Sequence, residues 1–305
     1  MKIKENIITI ILTYNEEENI SRAIKSAKKI SNIVYVVDSF SNDQTISIAK
    51  RLNAKILKKK FKNHSEQFNW ALSKIKPKNK WVLRLDADEY LENNLIAEIK
   101  EKLKSIDNDV NGITFRLKEK FLDQFIKYGG RRKLRILRLW KYGYGKIEDR
   151  LMDEGVYLSS GKIKNFSNFI VNDNSKTLQS YIDKHQIYAT KEAVEIIKKK
   201  YDLTNRDLSS LKTISTIRKI KIFIKEDIFN KLSYPVACSI YFIFRYIILL
   251  GFLDGKKGFL YHFLQGFWYR VIVGAKVDEI DIALKNIKSK KKLKKKIFYL
   301  TKITI

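Results

Sequence analysis

One cysteine, two prolines and three histidines are all that 305 residues contain of these types. A single thiol excludes an internal disulfide and any multi-cysteine metal cluster. The apolar neighbours of Cys238 mark it as a buried packing residue. The histidines show no zinc-ligand spacing: His64 opens a helical pattern, where capping or exposure accounts for it, and His185 sits on an apparent helical face as a packed or hydrogen-bonded group. Glycine-rich phosphate loops are also missing, because "YGYGK" (142–146) and the pair at 129–130 lack the necessary spacing and read as turns. Acidic residues are scarce, 33 against 62 lysines and arginines, a formal net charge of +29. That imbalance calls for something anionic nearby: nucleic acid, an anionic membrane surface or a phosphate-bearing substrate. Hydrophobic content of 45% with 12% aromatic residues excludes disorder. The length suits one large domain or two. The first apolar run, "IITIIL", is too short for a signal-peptide core, so the expectation is synthesis for the cytoplasm.

The scarce acids are not scattered. "IITIIL" (7–12) is a continuous β-branched run, as expected of a strand covered on both faces. The stretch "TYNEEENISRAIKSAKKI" follows, with Ile20, Ala23, Ile24 and Ala27 at helical spacing. "IVYVVD" (33–38) repeats the strand signature and ends on Asp38. A second helix reads from "SNDQTISIAKRLN", with Ser41 or Asn42 able to cap it. "AKILKK" is a weaker strand and "SEQFNWALSKI" a helix that Pro77 ends. "WVLRLD" is a fourth strand, delivering Asp86, Asp88 and Glu89. This alternation predicts a parallel sheet with helical crossovers, in which ligands bind beyond the carboxyl ends of the strands. The turn Thr13–Glu16, Asp38 and the cluster 86–89 all fall there. "GITFRLKEKFL" and "KLRILRLWK" read as further strands, and 142–155 as a loop carrying a second acidic group. From about residue 177 the pattern is helical, as in "LQSYIDKHQIYATKEAVEIIKKK", and 206–232 reads as another helix.

Asp86 and Asp88 at one strand end repel each other unless a divalent cation intervenes. Mg²⁺ or Mn²⁺ suits such oxygen ligands and completes its shell with water and substrate phosphates. Asp38 could accept hydrogen bonds from a nucleobase imide or a ribose. Tyr14 could lie against the base and Glu16 reach the ribose, although Glu16–Glu18 could equally compensate a helix dipole. Gln67 and Asn69 show only a polar helix face. Taken alone, an Asp-x-Asp is usually a hydrated turn.

"TYNEEENI", "VVDSFSNDQT" and "LRLDADEYL", in this order and spacing, resemble the nucleotide-binding half of the family 2 glycosyltransferases, which have the GT-A fold. The resemblance continues through "HSEQFNWAL", "GGRRKLRILRLWK", "EDRLMDE", "YIDKHQIYATKEA" and "FRYIILLGFLDGKKGFLYHFLQGFWYRV". It is similar to the subgroup that builds bacterial lipopolysaccharide core, capsule or exopolysaccharide. It implies an α/β GT-A domain over 1–175 and a helical, membrane-associating region over 176–305. It also implies nucleotide contacts from Thr13, Tyr14, Glu16, Asp38 and Asp86, a Mg²⁺ or Mn²⁺ ion on Asp88 and Asp86, and inverting transfer from a nucleotide-sugar, UDP-linked by family weight. The catalytic base is Asp149 by one matching of the second acidic group and Glu154 by another, with Asp149 ahead. Asp153 stands where histidine is often found. The acceptor implied is a saccharide or lipid-linked glycan, at the inner face of the cytoplasmic membrane.

Two apolar, aromatic segments, 236–253 and 258–275, are separated by "DGKKG", and eight lysines follow between 285 and 296. Arg245 lies inside the first, costing about 2.5–3.5 kcal/mol at a bilayer centre. The reading is a membrane-surface or re-entrant unit over about 234–275, ahead of core packing and of a true span, with the lysine tail drawn to anionic lipid. A nucleic-acid binder is disfavoured, since no recognition module accompanies the lysines. The other alternative is a catalytically idle scaffold of the same fold.

Overall fold

A computed structural model describes residues 6–77, 80–147, 155–173, 177–203 and 233–305. The described residues through Asp173 form one compact unit, and those from Thr177 to Ile305 a second.

In the first unit, β1 (Ile7–Thr13), β2 (Ile33–Asp38), β3 (Lys55–Lys58) and β4 (Trp81–Asp86) pair in parallel. All seven residues of β1 are buried, as its unbroken apolar run requires. Period-two alternation sends Ile7 and Ile11 to one face of the sheet, with helices α1 (Ile20–Ala27) and α2 (Thr45–Arg51). Ile8, Ile10 and Leu12 face the other side, where Phe68 and Ala71 of α3 (His64–Ile75) pack with Trp140.

Two helix starts differ from expectation. The first helix begins at Ile20 and has no acidic residue in its first turn, so Glu16–Glu18 belong to the loop before it. Neither Ser41 nor Asn42 caps α2. Asp43 Oδ1 accepts from the Thr45 amide at 2.9 Å, while the Ser41 hydroxyl is turned to Asp38. For α3, Asn63 Oδ1 accepts from the Glu66 amide at 2.7 Å, and the helix ends on left-handed Lys76 before Pro77.

After β4 come β5 (Glu89–Leu91), α4 (Asn93–Lys102), β6 (Val110–Phe121), β7 (Gln124–Ile126), β8 (Arg135–Lys141), β9 (Gly145–Ile147), β10 (Val156–Leu158) and β11 (Lys162–Asp173). The large sheet runs β3-β2-β1-β4-β8-β6-β11-β5, with β7 beside β6, while β9 and β10 form a separate pair. The long strand β11 bulges between Asn165 and Phe169. There the amides of Ser167 and Asn168 leave the ladder and donate to the Glu98 carboxylate at 2.9–3.0 Å.

The second unit is helical: α5 (Leu178–Lys200), α6 (Tyr234–Ile243), α7 (Gly255–Phe263), α8 (Tyr269–Leu284) and α9 (Lys290–Thr301). Wider π-turns over Phe244–Ile248 and Leu264–Trp268 extend α6 and join α7 to α8. Ala193, Val194 and Ile197 of α5 pack with Ile280 and Leu284 of α8 and with Leu293 and Ile297 of α9. The lysine-rich segment is therefore no loose tail: most of it is a helix anchored by two buried aliphatics. Cys238 is buried as expected, and the helix read over 206–232 lies outside the described residues.

Candidate active site

Parallel pairing puts Thr13 opposite Asp38, and Leu12 opposite Asp86. Three neighbouring strands thus end together, bringing side chains 73 positions apart in sequence to one edge of the sheet. The loops that follow β1 and β2 are tied to each other. The Asn15 amide donates to Ser41 Oγ (2.9 Å), the Glu16 amide to Thr45 Oγ1 (2.8 Å) and the Asn42 amide to Asn15 Oδ1 (3.0 Å). Asn15 (φ 51°) and Phe40 (φ 64°) hold left-handed backbone, a strained choice for non-glycine residues that such bonds stabilise. Asp38 is fully buried, and both its oxygens accept from the Ser41 amide. Gln67 Nε2 donates to Ser39 Oγ at 2.7 Å, fixing the same loop from α3. Tyr14 and Phe40 stand exposed, one beyond each strand end. Glu16 is drawn into the loop itself, its carboxylate accepting from Asn19 Nδ2 at 2.8 Å.

The fourth strand end is built around a cation absent from the sequence reading. Arg138 of β8 donates to Asp86 Oδ2 at 2.8 Å and to Glu89 Oε1 at 2.6 Å. Arg84 Nε lies 3.5 Å from Asp86 Oδ1. The Asp86 amide donates to Glu89 Oε2 at 3.0 Å, closing the turn. Burial works to raise the Asp86 pKa, but Arg138, Arg84 and His64 outweigh it and hold this carboxyl well below its ordinary range. Glu89 goes the other way. Burial, with the charges of Asp86 and Asp88 adding to it against Arg138, pushes it up to about 7. The signals for Arg138 and Arg84 were present in the sequence as cations inside apolar strands, "RILRLW" and "WVLRLD". What the sequence did not show was that the two strands are neighbours.

Asp88 follows in the turn between β4 and β5 and is largely buried. Its carbonyl accepts from the Asp173 amide at 2.9 Å, and Asp173 is itself paired with Arg22 and Lys120. Among the described residues no group of three His, Cys, Asp or Glu side chains could enclose a metal. An ion held at this turn would have the Asp88 carboxylate as a hard oxygen donor and would take the rest of its shell from phosphates and water. Asp86 is paired with both arginines. Asp149 and Glu154, together with Asp153, lie outside the described residues. His185 is packed in the second unit, its Nδ1 at 2.8 Å from the Tyr181 carbonyl and its ring stacked on Tyr181.

Residues 8–173, just over half of the chain, match the sequence profile "Glycosyl transferase family 2". This chain belongs to that family. An uncharacterized glycosyltransferase of Rickettsia typhi is 29% identical over 221 residues, spanning 68% of this chain and 73% of the relative. One from Rickettsia conorii is 40% identical over 107 residues, covering 35% of this chain and 37% of its own length. Among solved structures, a mannosyltransferase of Pyrobaculum calidifontis in complex with GDP-Man and Mn²⁺ aligns with a TM-score of 0.50 at 14% identity, over 89% of this chain and 86% of its own. The family 2 transferase thus has the expected GT-A fold, followed by a helical C-terminal region.

Proposed function

We propose that this glycosyltransferase moves a sugar from a nucleoside diphosphate sugar, UDP-linked in the first instance, to a saccharide or lipid-linked glycan acceptor, with inversion at the anomeric carbon. The observation that carries this is the convergence of Thr13, Asp38 and Asp86 at three adjacent strand ends, with Asp88 in the turn just beyond. Asp38, held rigid by Ser41, is an acceptor for a nucleobase imide or ribose hydroxyl. Exposed Tyr14 offers a face for the base, and Glu16 shapes the loop on which it stands. Asp88 would hold Mg²⁺ or Mn²⁺, a metal–nucleotide pairing supported by the GDP-Man and Mn²⁺ of the Pyrobaculum neighbour. A divalent cation there supplies positive charge toward the departing diphosphate. Asp86 contributes by orienting Arg138 and Arg84, whose positive charges add to the same end of the sheet.

The base, Asp149 before Glu154, removes the acceptor hydroxyl proton as its oxygen bonds the anomeric carbon and the bond to the diphosphate breaks. The acceptor is assigned to cell-surface polysaccharide or lipopolysaccharide assembly at the cytoplasmic face of the membrane. Calorimetric titration of UDP, GDP and dTDP, with and without Mn²⁺, tests the donor side. One nucleotide should bind only with Mn²⁺, and Asp88→Ala should abolish that binding. If none binds to folded protein, the transferase reading fails in favour of the scaffold. Asp149→Asn should retain nucleotide binding and lose transfer; near-normal turnover in this variant would move the base to Glu154.

A further inference from the structure

The α6–α7 elbow is inside out. From 236 to 259, ten large hydrophobic side chains are exposed, whereas Arg245, Asp254 and His262 are buried, each no more than 5% exposed. Val236, Ile240, Ile243 and Ile247 recur at spacings of four, three and four, forming one helical stripe that faces outward. Leu250 and Phe252 continue it around the bend. On the inner side Arg245 Nη2 lies 3.3 Å from His262 Nδ1, and His262 Nε2 lies 3.5 Å from Asp254 Oδ2. Gly251 permits this packing, since a Cβ there would lie 2.8 Å from the His262 ring and 2.9 Å from the Arg245 carbonyl.

Three amides of the bend are bonded within it. The amides of Leu249, Leu250 and Leu253 donate to Phe244, Ile247 and Leu250 carbonyls at 2.9–3.1 Å, so they need no water. No single helix among the described residues is long and apolar enough to cross a membrane. Tyr234–Ile248 and Gly251–Leu284 are long and apolar enough only together, and they are bent by 71°. Beside the apolar stripe, Lys256 and Lys257 are exposed at the start of α7.

We infer that this elbow is a monotopic anchor: its outward apolar stripe enters one leaflet of an anionic membrane, and the Arg245–His262–Asp254 cluster fastens it from within. An apolar exterior, ionisable groups gathered inside, internal amide bonds at the bend and flanking cations match a lipid interface. The inference rests on the membrane placement proposed above and names the surface that makes it.

The test uses the full chain without nucleotide, floated with vesicles of phosphatidylglycerol and phosphatidylethanolamine or of phosphatidylcholine alone. Flotation with the anionic vesicles should fall at least tenfold in the double variant Ile247→Glu, Phe252→Glu, at unchanged Tm and nucleotide binding. A dye on Phe252→Cys, in a Cys238→Ala background, should be quenched by spin labels on the acyl chains. Unchanged flotation of the double variant, or no quenching in vesicle-bound protein, would replace insertion by attraction of the lysines alone. If the wild type sediments as a dimer that the double variant dissolves, while flotation is unaffected, the stripe is covered by a second copy and the inference is wrong. Calorimetry on the same samples reads the donor site separately, so failure of the anchor and failure of the transferase reading are distinct results.

Discussion

At the scale of residues, Arg138 is the linchpin of the fourth strand end, because it reaches both the Asp86 and the Glu89 carboxylates. Removing one partner of a buried ionic pair leaves charge uncompensated, at a cost of about 3–5 kcal/mol when burial is complete and less here, where Asp86 is one-third exposed. Arg138→Ala should show that loss in the urea midpoint, and Arg138→Lys should recover part of it, since a lysine restores charge without the forked geometry. A midpoint unchanged by Arg138→Ala would remove the cluster from the account. Glu89 makes a pH prediction. Its carboxyl rises from an ordinary value of 4.5 to about 7 in the folded protein, so between these values the native state holds the extra proton. Its contribution is complete below 4.5 and is lost as pH rises through about 7. Glu89→Gln, which cannot ionise, should therefore gain in Tm relative to wild type as pH rises across this window, and a difference independent of pH would refute the shift.

Among the elements, the strand ends were the most legible part of the sequence. "IITIIL", "IVYVVD" and "WVLRLD" are short apolar runs closed by polar residues, and burial on both faces leaves such strands no other composition. Helix starts were less legible. At the start of α2 the Thr45 amide goes to Asp43 while Ser41 is turned to Asp38, an arrangement set by a neighbouring loop rather than by local preference. Strand β11 went unread because its bulge breaks the alternation at 166–168, and only Glu98, 69 residues earlier, accounts for the freed amides. Glu98→Ala should strand those donors and cost about 1.5–3 kcal/mol, measured by chemical denaturation. The loss should exceed that of Glu98→Gln, which keeps one acceptor. Equal losses would mean that the amides find other partners.

For the whole molecule, the net charge of +29 announced an anionic partner without saying where it binds. Six of the eight lysines between 285 and 296 lie on α9, in the helical unit that also carries the apolar elbow. Charge near an anionic surface is screened within a Debye length, whereas apolar burial is not. Vesicle binding should accordingly weaken as salt rises and then level off above zero. Complete release at high salt would assign the attachment to lysines alone. The pairing of Asp86 with arginine could not be read from the chain, since it depends on β8 lying beside β4. The Asp-x-Asp spacing put Asp86 and Asp88 around one metal–diphosphate, and the neighbouring strand adds arginine partners to Asp86.

The most direct measurement is anomalous diffraction from crystals grown with Mn²⁺ and a nucleoside diphosphate, UDP first. The account predicts a manganese peak within coordination distance of the Asp88 carboxylate and the diphosphate, beyond the ends of β1, β2 and β4, with Asp86 still paired to Arg138. Manganese away from Asp88, or a nucleotide bound elsewhere on the chain, would contradict it.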